Sequence, residues 1–169
     1  LSASGQDGIV IGTGMDRYAL RFNLTHKMFE DRLIFNLNAT NTYYKLDNVL
    51  EQQTGGANGG IINNALKANP TEPVYKADGS FNEYAETVRN PVAMAKQMSD
   101  KSRGDRFIGN ADATYYFLPK TLSGKINLGY DVDNINRKAY QPIHSKAAEN
   151  VEGRAVTESN RYANYLLEG

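Results

Sequence analysis

The sequence predicts an all-β chain: about six strands of an antiparallel sheet of the membrane-barrel type, with long loops carrying short helices at one end. Three observations predict it. Strict two-residue alternation of apolar and polar side chains recurs along the chain. The connections between alternating runs are by turns long and short. The runs reach about 11 to 13 residues, which suits a tilted bilayer crossing better than the five or six usual in soluble sheets.

Composition narrows the field. The 169 residues carry 19 basic and 19 acidic side chains, so there is no electrostatic footprint for nucleic acid. Cysteine is absent, which removes disulfides, thiol chemistry and cysteine metal sites. No run of about 18 apolar residues exists, so no transmembrane helix is expected; membrane strands pass that test unseen because half their residues are polar. Opening at Leu1 and stopping at Gly169 in a strand-like run, the chain reads as a piece of something longer.

The strands are expected at about 1–5, 16–28, 33–45, 105–117, 122–134 and 160–168, with long loops over 46–104 and 135–159. Gln6 to Met15 is glycine-rich and reads as a loop. In the second strand Tyr18, Leu20, Phe22 and Leu24 oppose Arg17, Ala19, Arg21, Asn23 and Thr25. A turn at Phe29-Glu30-Asp31-Arg32 leads to a third strand, where Leu33, Phe35, Leu37 and Ala39 oppose Asn36, Asn38, Thr40 and Thr42. Pairing Met28 with Leu33 puts Phe22 across from Ala39 and keeps both apolar sets on one side.

The stretch from Arg106 to Asp133 is a second hairpin, turning at Leu118-Pro119-Lys120-Thr121. With Phe117 opposite Leu122, Tyr115 faces Gly124, Ala113 faces Ile126, Ala111 faces Leu128 and Gly109 faces Tyr130. Each glycine then meets a tyrosine whose ring can cover its bare backbone. Asp112 falls diagonal to Lys125, within reach of a cross-strand charge pair. Alone, this hairpin suits the core side of a soluble sandwich. The connections shift the reading, because loops beyond about 15 residues are uncommon in compact domains. In an antiparallel sheet the long–short alternation sets every short turn at one end and every long loop at the other, as in outer-membrane barrels.

Within the first long loop, Ile61, Ile62, Ala65 and Leu66 have helical spacing, and Asn90-Pro91 is a helix start with Asn as cap. Ala77-Asp78-Gly79-Ser80 reads as a tight turn.

Several segments, taken in order, resemble the starch-utilisation, SusC-like and RagA-like branch of TonB-dependent receptors. They are Gln6-Asp7-Gly8-Ile9-Val10, Asp16-Arg17-Tyr18-Ala19-Leu20-Arg21-Phe22-Asn23-Leu24, Asn69-Pro70-Thr71-Glu72-Pro73-Val74-Tyr75 with Asp78-Gly79-Ser80, and Asn90-Pro91-Val92-Ala93. Asp105-Arg106-Phe107-Ile108-Gly109-Asn110, Gly129-Tyr130-Asp131 and Asn164-Tyr165-Leu166-Leu167-Glu168 complete the set. The resemblance implies a barrel of about 22 strands around a plug, in the outer membrane of a Gram-negative bacterium. It implies import of nutrients, oligosaccharides first and peptides second, under a SusD-like surface lipoprotein and with energy from TonB. The plug, the TonB-contacting segment and the terminal strand of such receptors have no counterpart in these residues. Two other classes stay open: a soluble carbohydrate-binding β-sandwich, and a surface adhesin or structural domain.

No catalytic, cofactor or metal site is expected. His26 and His144 lack acidic neighbours at ligand spacing. Asp131-Val132-Asp133 starts like a calcium loop, but Ile135 stands where an oxygen ligand belongs. The glycine run from Gly55 to Gly60 lacks the ending of a phosphate cradle. Arg17, Arg21, Asn23, Asn36, Asp112, Lys125 and Asn127 are expected to face a wet lumen. Tyr43, Tyr44, Tyr115, Tyr116, Phe117 and Tyr130 are placed for interfacial belts. Loop aromatics Tyr75, Phe81, Tyr84 and Tyr140 are the candidates for contact with a substrate or the lid.

Overall fold

The computed structural model describes residues 1–49, 60–84, 88–118, 121–143, 145 and 152–169. His144, most of the Gly55–Gly60 run, and Pro119 and Lys120 of the second turn lie outside these. The described chain is mostly antiparallel sheet. Its strands are β1 (Ser2–Asp7), β2 (Gly14–Met28), β3 (Leu33–Asn48), β4 (Ser99–Leu118), β5 (Leu122–Gln141) and β6 (Arg154–Glu168). Each strand bonds to its sequence neighbours in the order β1-β2-β3-β4-β5-β6, and the sheet is open, with β1 and β6 at its edges. No helix among the described residues is long and apolar enough to cross a membrane, a test that does not bear on crossing by strands.

The first hairpin has the register its pattern predicts, Met28 on Leu33 and Phe22 on Ala39. Its turn is tight: Phe29, Glu30 and Asp31 all have positive φ, and the Arg32 amide donates to the Phe29 carbonyl at 3.1 Å. In the second hairpin Tyr115 pairs with Gly124, Ala113 with Ile126, Ala111 with Leu128 and Gly109 with Tyr130. Phe117 does not face Leu122. A bulge between Tyr116 and Leu118 gives Leu122 to Leu118 and releases Phe117 from the ladder.

That bulge changes which rings cover which glycines. A Cβ on Gly124 would lie 3.3 Å from the Phe117 ring, and one on Gly109 would lie 2.9 Å from Phe107 on its own strand. Tyr130 stacks instead on Tyr165 of β6, with centroids 5.1 Å apart. The directly opposed partner is thus not the ring that shields the glycine. A third glycine, Gly104, has its place occupied by the Tyr44 ring from the paired position on β3.

Strands also run further toward the loop end than hydropathy predicts: β4 starts at Ser99, β5 reaches Gln141 and β6 starts at Arg154. In these extensions both faces are polar, as in Lys101, Ser102 and Arg103 against Asn136, Arg137 and Lys138. The backbone ladder continues where the hydrophobic contrast stops.

Between β3 and β4 lie helices α1 (Ile61–Lys67) and α2 (Pro91–Gln97). Two turns of helix are marginal alone. They are held by a small core of Ile61, Met94 and Met98, against which Val10, Val49 and Ala95 pack. Asn90 caps α2 as expected, its side-chain oxygen accepting from the Val92 and Ala93 amides at 3.0 and 3.2 Å. Its amide group also donates to the carbonyls of Val74 (2.9 Å) and Asn82 (2.8 Å), so a residue 1% exposed has every polar atom bonded. Asn64, inside α1, ties that helix to the chain before α2, accepting from the Arg89 amide at 2.7 Å and donating to the Gly60 carbonyl at 3.1 Å.

Candidate functional site: a cross-linked polar face

Because side chains alternate and the registers are continuous, each ladder row belongs to one face. Leu24, Leu37, Ala111, Leu128 and Leu167 form one row, with Phe22, Ala39, Gly109, Tyr130 and Tyr165 beside it toward the loops. No second layer covers these rows: Phe22, Ile126 and Leu128 are each more than half exposed. From Leu33 to Asn41, whose row adds Leu20, Phe107, Val132 and Ala163, a rise of about 3.3 Å per residue inclined by about 40° gives a largely apolar band roughly 20 Å tall; the next row of this face sets Tyr18 and Tyr43 beside Asp105, Asn134 and Arg161.

The opposite face is polar and bonded from strand to strand. Thr25 donates to Asn36 (2.9 Å), and Asn36 to Asp112 (2.9 Å), which Lys125 approaches at 3.8 Å. Asn110 donates to Asn127 (2.8 Å), and Asn127 to Glu168 (3.1 Å). The lumen candidates Asn36, Asp112, Lys125 and Asn127 are therefore brought together in neighbouring rows. Arg17, Arg21 and Asn23 share this face on β2, exposed and outside that network.

Toward the loops the same face carries stronger pairs. Arg106 binds Asp131 through two hydrogen bonds of 3.0 and 2.8 Å. Tyr44 reaches across the bare backbone of Gly104 to donate to Asp133 at 3.2 Å. Arg137 grips buried Asp100 through bonds of 2.8 and 2.6 Å and meets Glu158 at 3.3 Å. These bonds push the Arg137 guanidinium still further above its usual range, so it is cationic at any working pH. Sequence reasoning did not pair these residues, yet the signal was present. Arg106–Asp131 and Arg137–Asp100 lie on the same ladder diagonal as Asp112–Lys125.

In the long loop Tyr75 and Phe81 are joined by a β-bridge and stack with centroids 5.3 Å apart. Lys96 donates to the Tyr75 hydroxyl at 2.9 Å and lies 5.6 Å from its ring. Tyr84 is partly buried nearby in the chain. Tyr140 stands apart from the other candidates. Its place in β5 puts it on the face of Tyr130 and Leu128, not on the polar one. Asp78 anchors its turn by accepting from the Ser80 amide (2.9 Å) and hydroxyl (2.6 Å), which lowers its pKa. Among the described residues no cluster of His, Cys, Asp and Glu could hold a metal ion. His26 lies on the apolar face, paired with Phe35.

A sheet bare and apolar on one side, wet and cross-linked on the other, is the wall of a barrel. Comparison with known proteins gives the family. The chain is 30% identical over 167 residues to TonB-dependent receptor P3 of Formosa agariphila, which covers 96% of this chain and 16% of that protein. It is 30% identical over 146 residues to TonB-dependent receptor SusC of Bacteroides thetaiotaomicron, covering 70% of this chain and 14% of SusC. The chain belongs to the TonB-dependent receptors. A third relative, TonB-dependent receptor P26 of Formosa agariphila, is 30% identical over 114 residues. This receptor segment thus spans about a sixth or less of the curated relatives it matches. No protein-family model matches it. The relatives are named as receptors, not as enzymes.

Proposed function

We propose that this segment is part of the barrel wall of an outer-membrane active transporter that imports nutrients, oligosaccharides before peptides, under a SusD-like lipoprotein lid and with TonB-coupled energy. The observation that carries the proposal is the division between the two faces. A largely apolar band roughly 20 Å tall, topped by a row with two tyrosines and with nothing over it, suits a bilayer, and the bonded polar rows suit a water-filled interior. The choice of oligosaccharide rests on the likeness to SusC. In this reading Arg17, Arg21, Asn23, Asn36, Asp112, Lys125 and Asn127 line the lumen. Tyr75 and Phe81 present a ring platform to the sugar or to the lid, and Tyr84 is a further candidate in the same loop. Tyr140, at the loop end of β5 beyond the tyrosine row, is the remaining candidate for that contact.

The test uses the full-length receptor in lipid, spin-labelled at single cysteines replacing Phe22 or Leu128 on one face and Asn38 or Asn110 on the other. The first pair should collide with dissolved oxygen and be shielded from a water-soluble nickel chelate, and the second pair should do the reverse. Equal access of the chelate to all four would end the barrel reading. Transport is tested by deleting the parent gene and following growth on oligosaccharides against growth on monosaccharides, where only the first should fail.

A further inference from the structure

Charge on the polar face does not cancel side chain by side chain. Among the described residues every carboxylate on its strands, Asp100, Asp112, Asp131, Asp133, Glu158 and Glu168, accepts from a neighbouring side chain. Arg17, Arg21 and Arg154 of the same face have no carboxylate partner among the described residues, and all three are exposed. The strands beside Arg17 and Arg21 offer none. On this face β1 carries Ser2, Ser4 and Gln6, and the positions of β3 across from Arg17, Ala19 and Arg21 are Tyr44, Thr42 and Thr40. Tyr44 turns the other way, over Gly104 toward Asp133. Between the two arginines the wall is therefore low, with Ala19 facing Thr42. Four residues of inclined strand set the guanidiniums about 10 Å apart in height.

A further cation stands beside the ring platform. Lys96, exposed in the last turn of α2 just ahead of β4, donates to the Tyr75 hydroxyl at 2.9 Å and lies 5.6 Å from the ring centroid. A phenol is neutral and takes one of three ammonium protons, which leaves two for a ligand. The described carboxylates of this loop are held elsewhere: Glu72 lies 3.5 Å from the Asn82 amide, Asp78 binds Ser80, and Glu83 lines a hollow with Arg89 and Asn90. Tyr75 is 43% exposed and stacked on Phe81. An open ring face with an ammonium at its edge takes the C–H face of a sugar on the ring and an anionic substituent of that sugar on the cation. A neutral sugar would displace water from these cations and return no charge to them.

We propose that the cargo is an acidic oligosaccharide, one whose sugar rings bear carboxylate or sulfate groups. One ring seats on Tyr75 and Phe81 with its anionic group on Lys96, and Arg17 and Arg21 receive such groups in turn as the chain descends the lumen wall. The inference rests on the importer reading and narrows its cargo.

Deletion of the parent gene, with growth followed on digests of a polyuronate, a sulfated galactan and a neutral glucan, makes the first test. Growth should fail on an acidic digest and persist on the neutral one, and the acidic digest that fails tells carboxylate from sulfate. Failure on the neutral digest, alone or with the others, overturns the acidic class and leaves the importer reading standing; growth on all three removes both. The second test titrates full-length receptor in neutral detergent with oligosaccharides of the failing digest, read by calorimetry. Lys96→Gln keeps a donor for the Tyr75 hydroxyl and should weaken binding about five- to tenfold, while Lys96→Arg should keep most of it. Should the variants fail to fold, the wild-type protein still decides, because its binding must weaken several-fold as salt is raised. Full-strength binding by Lys96→Gln overturns the proposal, as does salt-independent binding. Arg17→Gln/Arg21→Gln should slow uptake of the acidic digest several-fold with the unfolding midpoint unchanged. A lowered midpoint would assign these arginines to carboxylates of the receptor itself and overturn the proposal at the lumen wall.

Discussion

The sheet and the loop between β3 and β4 are ordered by different means. In the sheet, position follows from a backbone ladder and from which face each side chain occupies, so whole rows move together. In the loop, two short helices and a turn are fixed by a few side chains, with Asn64 and Asn90 spending every polar atom on backbone groups. The difference teaches where a single substitution acts. In the sheet the face decides the cost, and in the loop the identity of one residue does.

The sharpest break is between neighbours in β3. Leu37→Arg puts a charge at mid-height of the apolar band and should cost about 2 to 4 kcal/mol in full-length receptor unfolded from a bilayer, while Asn38→Arg, one residue on and facing the other way, should stay within about 1 kcal/mol. Equal costs would abolish the distinction between faces. Next comes Asn90→Leu, which removes the cap of α2, takes the Asn90 donor from the Asn82 carbonyl and leaves Val74 only its bond from the Asn82 amide. A local loss of about 2 to 3 kcal/mol is expected, seen as faster hydrogen exchange over residues 60–98 with β4 and β5 unchanged. Exchange spreading into the strands would mean that loop and sheet are one cooperative unit.

A smaller effect sharpens the sheet side. Glu30 holds a φ of 55°, a region that costs a residue with a side chain about 1 kcal/mol and glycine almost nothing. Glu30→Gly should therefore raise stability by about 0.5 to 1 kcal/mol, visible as a higher unfolding midpoint. The least effect belongs to the Asp78 turn. Its carboxyl pKa is depressed below 3.8 by the bonds from Ser80, so the ordering it provides is present above the unfolded-state pKa and lost as pH falls through the folded one. Exchange at residues 76–82 should quicken in that acid range, and Ser80→Ala, which keeps the amide bond and loses the hydroxyl one, should weaken the dependence.

Much of the sheet was legible because contrast between apolar and polar positions survives wherever one face is greasy: Met28 on Leu33 and Tyr115 on Gly124 follow from alternation alone. Legibility fails where that contrast ends. Around Lys101 to Arg103 and Asn136 to Lys138 both faces are polar, so a pattern reader sees a loop while the ladder runs on. Phe117 escaped for another reason. A bulge beside a turn depends on how the chain closes, not on which residues are greasy. In the loop, Asn90 was readable as a cap because its partners are two and three residues away. Its donation to Val74 and Asn82 was not, since no local rule reaches that far. The network around Asp112 was half visible: one diagonal gave Lys125, and the same diagonal carried Arg106–Asp131 and Arg137–Asp100 unread.

The neighbour-only strand order has a consequence for how such a wall changes over generations. Since no strand crosses over another, a duplicated or deleted hairpin leaves every surviving strand beside a partner of opposite direction and every turn at its original end. Circumference can then grow or shrink two strands at a time without rewiring, and the pore can be resized by the same copying errors that lengthen its genes.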